Sequence, residues 1–81
     1  MNDNPTLRTL AQGQWAVVTK LTAKGELGRR LRDMGLAPGA RLQMMCRAPL
    51  KDPVEIKLRG YNLTLRNNEA DHVFVQPEEQ A

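Results

Sequence analysis

The hydrophobic period of this chain changes at Gly35-Leu36-Ala37-Pro38-Gly39, and the change separates one helix from a β-rich remainder. Before it, Leu27, Leu31 and Met34 recur at i, i+4 and i+7, with Arg29, Arg30, Arg32 and Asp33 on the other sides. That stripe predicts an amphipathic helix of two to three turns. Gly35 suits the left-handed C′ position, and Leu36 at C″ can touch Leu31 at C3, the apolar contact of a Schellman cap. Pro38 then bars continuation. After Pro38-Gly39 the period is two: Leu42, Met44 and Cys46 alternate with Arg41, Gln43, Met45 and Arg47. Val54, Ile56 and Leu58 alternate with Glu55, Lys57 and Arg59, and Gly60-Tyr61-Asn62 predicts a tight turn leading to Leu63 and Leu65. Asn67 to Asp71 allows a short turn before a closing strand, His72 to Gln76. Upstream, Trp15 to Leu21 is rich in aromatic and β-branched residues and reads as a strand. Leu7 and Leu10 suit one helical turn that Gly13 ends.

The expected fold is therefore mainly β: about five short strands, with one helix between strands one and two. An 81-residue chain has room for one domain, 1–81, with residues 1–6 and 77–81 expected to be loosely ordered ends. Five strands left open in so small a body would expose two edges, so they are expected to curl into a partly closed barrel with the helix as a lid.

Twelve Lys+Arg against nine Asp+Glu give +3. Setting aside Glu78 and Glu79 as an unpacked tail leaves 12 − 7 = +5, a moderately basic body whose charge selects no single partner. The apolar run from Trp15 to Val18 stops at Thr19 and Lys20, far short of the ~20 residues of a membrane span, so no membrane insertion is expected. The N-terminus lacks the basic and apolar blocks of a secretory signal, and a single cysteine fits a reducing compartment. Both point to the cytoplasm.

The chemistry sought in this sequence is mostly missing from it. His72 is the one histidine, and its neighbour Asp71 would face the other way in a strand, so a nucleophilic triad has no oriented base. Gly25 and Gly28 are followed by no Lys-Ser/Thr pair, so no phosphate-binding loop forms. One Cys and one His fall short of a four-ligand zinc site. Cys46 reads as a buried small hydrophobe, Met44 as core filling and Met45 as a surface residue. The expectation is a protein that is not an enzyme and requires no cofactor. His72 is the candidate metal ligand, for an adventitious zinc or ferrous ion held weakly or shared with a second chain. Arg29, Arg30, Arg32, Lys57, Arg59 and Arg66 raise nucleic-acid binding, but Trp15, Tyr61 and Phe74 are too far apart in sequence to suggest a stacking platform. No nucleic acid is expected. Pro49-Leu50-Lys51-Asp52-Pro53 carries an apolar side chain where strand alternation gives it no core position. The prolines preorganise this loop, so it is either a docking surface with Leu50 as anchor or a stiff connection with Leu50 folded over the barrel end.

Three segments carry a family resemblance. Leu31-Arg32-Asp33-Met34-Gly35-Leu36-Ala37-Pro38-Gly39 resembles the Leu-x-x-Met-Gly-Leu-x-Pro-Gly helix and turn of the FeoA family. Ala48-Pro49-Leu50-Lys51-Asp52-Pro53 is similar to that family's Ala-Pro-Leu-Gly-Asp-Pro loop, with Lys51 where glycine is common. Leu58-Arg59-Gly60-Tyr61-Asn62-Leu63-Thr64-Leu65-Arg66 resembles its Arg-Gly-x-x-Leu-x-Leu-Arg hairpin. The resemblance implies a Src-homology-3-like (SH3-like) barrel and a cytoplasmic accessory of FeoB, a ferrous-iron transporter of the inner membrane with a GTP-binding domain. The chain would modulate FeoB's GTP-linked activity and be peripheral to the membrane through that partner, with room for weak homo-oligomers. On this reading Leu50 anchors in a pocket of FeoB, with its nucleotide-binding domain the expected place, within a contact made by Pro49, Leu50, Asp52, Pro53 and Arg59. The alternative it keeps open is a regulatory or nucleic-acid-binding domain related to the C-terminal domain of iron-dependent repressors. The single helix, which carries the apolar stripe covering the core, is ill-suited to DNA recognition and favours the accessory role.

Overall fold

The computed structural model describes residues 5–47 and 53–78. Its strands are β1 (Trp15–Leu21), β2 (Arg41–Arg47), β3 (Val54–Leu58), β4 (Tyr61–Leu65) and β5 (Val73–Pro77). Helix α1 (Gly25–Asp33) lies between β1 and β2, the one-turn α2 (Asn67–Ala70) between β4 and β5, and a 3₁₀ turn spans Leu7–Thr9. The strands form one antiparallel sheet in the order β4-β3-β2-β1-β5. The mainly β class and the position of the helix agree with the expectation from periodicity.

Helix α1 ends as its sequence dictates. The Gly35 N–H donates to the Arg32 carbonyl at 2.9 Å and the Leu36 N–H to the Leu31 carbonyl at 3.0 Å, the paired bonds of a Schellman cap. Gly35 sits at φ +104°, a conformation open to glycine. Leu31 and Leu36 are both fully buried, in one core with Leu42, Met44, Ile56, Leu65 and Val73. No polar or charged residue is buried among the described residues, so the side chains that fill the interior are apolar.

Four details differ from the reading of the sequence. The β3–β4 turn is Arg59-Gly60, with Gly60 at φ +84°, and Tyr61 already pairs with Leu58, so Tyr61 and Asn62 belong to the strand. The closing strand starts one residue later than expected, at Val73, although the Thr22 N–H donates to the His72 carbonyl at 2.9 Å in register with the β1–β5 ladder. A bulge between Met44 and Cys46 interrupts the alternation expected through Cys46, whose backbone pairs with Glu55; the side chain of Cys46 lies outside the described residues. Finally, parts of both supposedly loose ends are fastened. The Pro5 carbonyl accepts the Val75 N–H at 2.9 Å, Thr6 bridges Phe74, and the Glu78 N–H donates to the Trp15 carbonyl at 2.9 Å. The first two contacts cover the outer edge of β5.

Candidate docking surface

The capped end of α1 and the β3–β4 turn approach one another across the mouth of the sheet. The Tyr61 hydroxyl donates to the Met34 carbonyl, tying the hairpin to the helix C-terminus. Any side chain at Gly35 would place its Cβ 2.9 Å from that hydroxyl, so glycine serves both the left-handed turn and the close approach. Between these elements lies a groove of about 400 Å³, lined by Gly35, Ala37, Pro38, Gly39, Arg59 and Tyr61 among others. Two sequence segments separated by a whole hairpin arm thus build one concave surface.

Beside the groove, the outer face of the sheet carries a polar row. Trp15, Gln43, Lys57 and Asn62 are consecutive cross-strand partners on β1, β2, β3 and β4, and so share one face. Arg41, diagonal to Trp15, stacks its guanidinium 4.1 Å from the indole ring centroid. The same guanidinium makes a two-pronged contact with Glu78, Nε to one carboxylate oxygen at 2.7 Å and Nη2 to the other at 3.0 Å. The Arg41 hydrogen bond, aided by its charge and opposed by partial burial, holds the Glu78 carboxyl below its ordinary value. The matching bond raises the Arg41 guanidinium. A carboxyl lowered in the folded state stabilises at pH above its unfolded value, about 4.3 for Glu, and loses that effect as pH falls through the folded value. Fluorescence of Trp15, the one tryptophan, is therefore expected to change in that acid window. Glu78→Gln should abolish the step; its persistence in the variant would show that another group causes it.

The residues singled out from sequence fare unequally. Pro49, Leu50 and Asp52 lie outside the described residues. Pro53 is exposed beside Arg30, Thr64, Arg66 and Glu69. Arg59 is exposed at the opposite end of β3, on the rim of the groove, roughly 20 Å from Pro53 at about 3.4 Å per strand residue. These two are therefore not neighbours. Asp71 does not orient His72: it pairs with Arg8 at 3.1 Å, while His72 Nδ1 lies 3.0 Å from the Thr22 hydroxyl. Among the described residues no three His, Cys, Asp or Glu side chains converge, so a resident metal has no ligand set there. Sequence reasoning missed Trp15, Arg41, Tyr61 and Glu78. Arg41 stands on the polar side of its alternating strand, a signal that was available; the Glu78 contact has no sequence mark.

Comparison with known proteins gives a consistent result. The FeoA domain family matches residues 6–77. A fusion of Fe(2+) transport protein A with the Fe(2+) transporter FeoB from Porphyromonas gingivalis is 31% identical over 70 residues, which are 86% of this chain and 8% of that protein. The chain thus spans a small fraction of this curated relative. The solution structure of iron(II) transport protein A from Clostridium thermocellum superposes with a TM-score of 0.85 at 38% identity, covering 89% of this chain and 44% of that one. A zinc complex of FeoA from Stenotrophomonas maltophilia, described as a prokaryotic SH3 domain protein, gives 0.81 at 28% identity, covering 95% and 99%. A manganese-dependent transcriptional repressor shares the fold at a TM-score of 0.84 with 15% identity, over 96% of this chain and 43% of that one.

Proposed function

This chain belongs to the FeoA family of ferrous-iron transport, and on that premise we propose that it is a cytoplasmic, non-catalytic accessory that binds the FeoB transporter and modulates its GTP-linked activity. The observation that supports this reading is the convergence of two family-like segments, Gly35 to Gly39 and Leu58 to Tyr61, on one groove. Packing alone does not require it: Pro38, Gly39, Arg59 and Tyr61 are exposed, and Tyr61 is the one large hydrophobic residue so exposed among those described. Aromatic and arginine side chains at the mouth of a preformed groove are the usual anchors of a protein contact. The fusion of an FeoA with FeoB in P. gingivalis supports FeoB as the partner, and its GTP-binding domain is the proposed point of contact. The loop residues Pro49, Leu50, Asp52 and Pro53 are proposed as a second contact, with Leu50 as its anchor. The chain would then sit at the inner membrane through its partner.

Arg59→Glu tests the groove and Leu50→Asp the loop. Each is expected to keep the wild-type melting temperature and to lower co-purification with FeoB and ferrous-iron uptake by at least about tenfold, equivalent to about 1.4 kcal/mol. Unchanged uptake and co-purification in a folded variant would remove that surface from the contact.

Zinc, which the S. maltophilia FeoA holds, is proposed for this chain only as an adventitious ion shared between two copies. His72 would be a ligand, through Nε2 since Nδ1 faces Thr22. Anaerobic calorimetry with zinc or ferrous iron is expected to show no submicromolar one-to-one site, and His72→Ala to remove the weak binding. A tight stoichiometric site that survives His72→Ala would refute this.

A further inference from the structure

We propose that Trp15, Arg41, Lys57 and Arg59 form a receptor for an extended acidic peptide segment, whose principal carboxylate position is occupied within the chain itself by Glu78. The occupied position shows how such a segment is held. The Glu78 N–H donates to the Trp15 carbonyl at 2.9 Å while its carboxylate takes both prongs of Arg41. Arg41 is in turn fixed over the Trp15 ring, so the guanidinium is preoriented and loses little freedom on binding. One backbone contact and one bidentate ion pair, two points on the same residue, specify an extended chain bearing a carboxylate.

The charges around this position exceed what Glu78 supplies. Lys57 and Arg59 flank a shallow hollow of about 370 Å³ that also touches Trp15, Arg41, Leu58 and Gly60. Both are exposed and neither has a carboxylate partner among the described residues. Of the three cations lining this hollow only Arg41 is paired with an acid among the described residues, Glu55 on the same face of β3 being held by Asn62 Nδ2 at 2.9 Å. The face therefore complements a segment carrying two or more carboxylates, which would engage Lys57 and Arg59 and displace Glu78 from Arg41. The Glu78 contact is half exposed and at the end of the β1–β5 ladder, where displacement requires no loss of core packing. This inference rests on the docking reading above only for the place of Arg59 on the groove rim; its test is independent of FeoB.

The test uses the full chain and acetyl-Gln-Pro-Glu-Glu-Gln-Ala-amide, the sequence of residues 76–81, titrated while Trp15 fluorescence is read at low salt. Glu78→Gln is expected to bind this peptide about tenfold more tightly than wild type, because the internal competitor is gone. Adding Arg41→Ala to Glu78→Gln should cancel the gain, and a peptide with both glutamates replaced by glutamine should not bind. Circular dichroism melts of each variant should stay within a few degrees of wild type. Equal affinity for wild type and Glu78→Gln, or binding of the glutamine peptide at the same strength, would overturn the proposal. So would tighter, Arg41-dependent binding of a single-stranded oligonucleotide, which would assign the face to phosphates.

Discussion

Leu31→Asp is expected to abolish cooperative folding. Leu31 is completely buried at the last turn of α1, where its carbonyl accepts the Leu36 N–H and its side chain belongs to the single apolar core. Removing the leucine side chain alone costs about 2–5 kcal/mol in a packed interior. The aspartate then enters a core with no buried polar residue among those described, and burying a charge unpaired adds several kcal/mol, of the order of the whole stability. At about 0.05–0.15 kcal/mol per residue, a domain this small has too little stability to absorb both. Thermal melts followed by circular dichroism should show no transition for Leu31→Asp and a near-normal one for Leu31→Met, which conserves volume. A Leu31→Asp protein melting within a few degrees of wild type would mean that α1 does not close this core.

Gly28→Ala is expected to destabilise the protein although the substitution raises helix propensity. In an exposed helix interior alanine is favoured over glycine by about 1 kcal/mol. Gly28, however, is buried against the chain that enters α1: a Cβ there would lie 2.3 Å from the Ala23 carbonyl oxygen and 3.0 Å from its carbon. Backbone cannot rotate away as a side chain can, so the helix must shift off the turn before it. Overpacking of this kind costs about 1–3 kcal/mol. For a domain of this size each kcal/mol lowers the midpoint by roughly 4–8 °C, so a fall of about ten degrees is expected. A raised melting temperature would show that propensity outweighs the contact and that the entry to α1 is loosely held.

The helix and its cap were legible in sequence because they are local. Leu31, Gly35, Leu36 and Pro38 stand within eight residues, and each states its role through side-chain type alone. Strand alternation was equally readable for Val54–Leu58, while Trp15–Leu21 was read from its aromatic and β-branched composition and loses alternation at an irregularity between Val18 and Lys20. It failed at the β2 bulge, because an extra residue such as Met45 leaves no mark in composition and is defined only by its partner strand. The hairpin was misplaced for a related reason. Gly60 announces a turn, but whether Tyr61 continues it or opens β4 depends on pairing with Leu58 and on its hydroxyl reaching Met34. The surface around Trp15 was missed because its parts, Trp15, Arg41, Lys57 and Glu78, come from four distant points of the chain. Glu78 in particular was assigned to a loose end on its proximity to the C-terminus, whereas the ladder between β1 and β5 extends far enough to hold it.

That ladder also bears on how the molecule assembles in time. β1 lies between β2 and β5, and its partners on β5 are more than fifty positions away, Val18 with Val75 and Leu21 with Val73. The hairpin of β3 and β4, closed by two residues, can zip on its own within about 1–10 μs. The first strand has no such local route, and the loop-closure entropy of its long-range pairing must be met before any contact there is gained. Refolding should therefore follow the slower range set by non-local topology, about milliseconds to seconds. During synthesis β1 would leave the ribosome early and wait, its inner residues Ala16 and Val18 exposed, until residues 73–77 had emerged to complete the sheet.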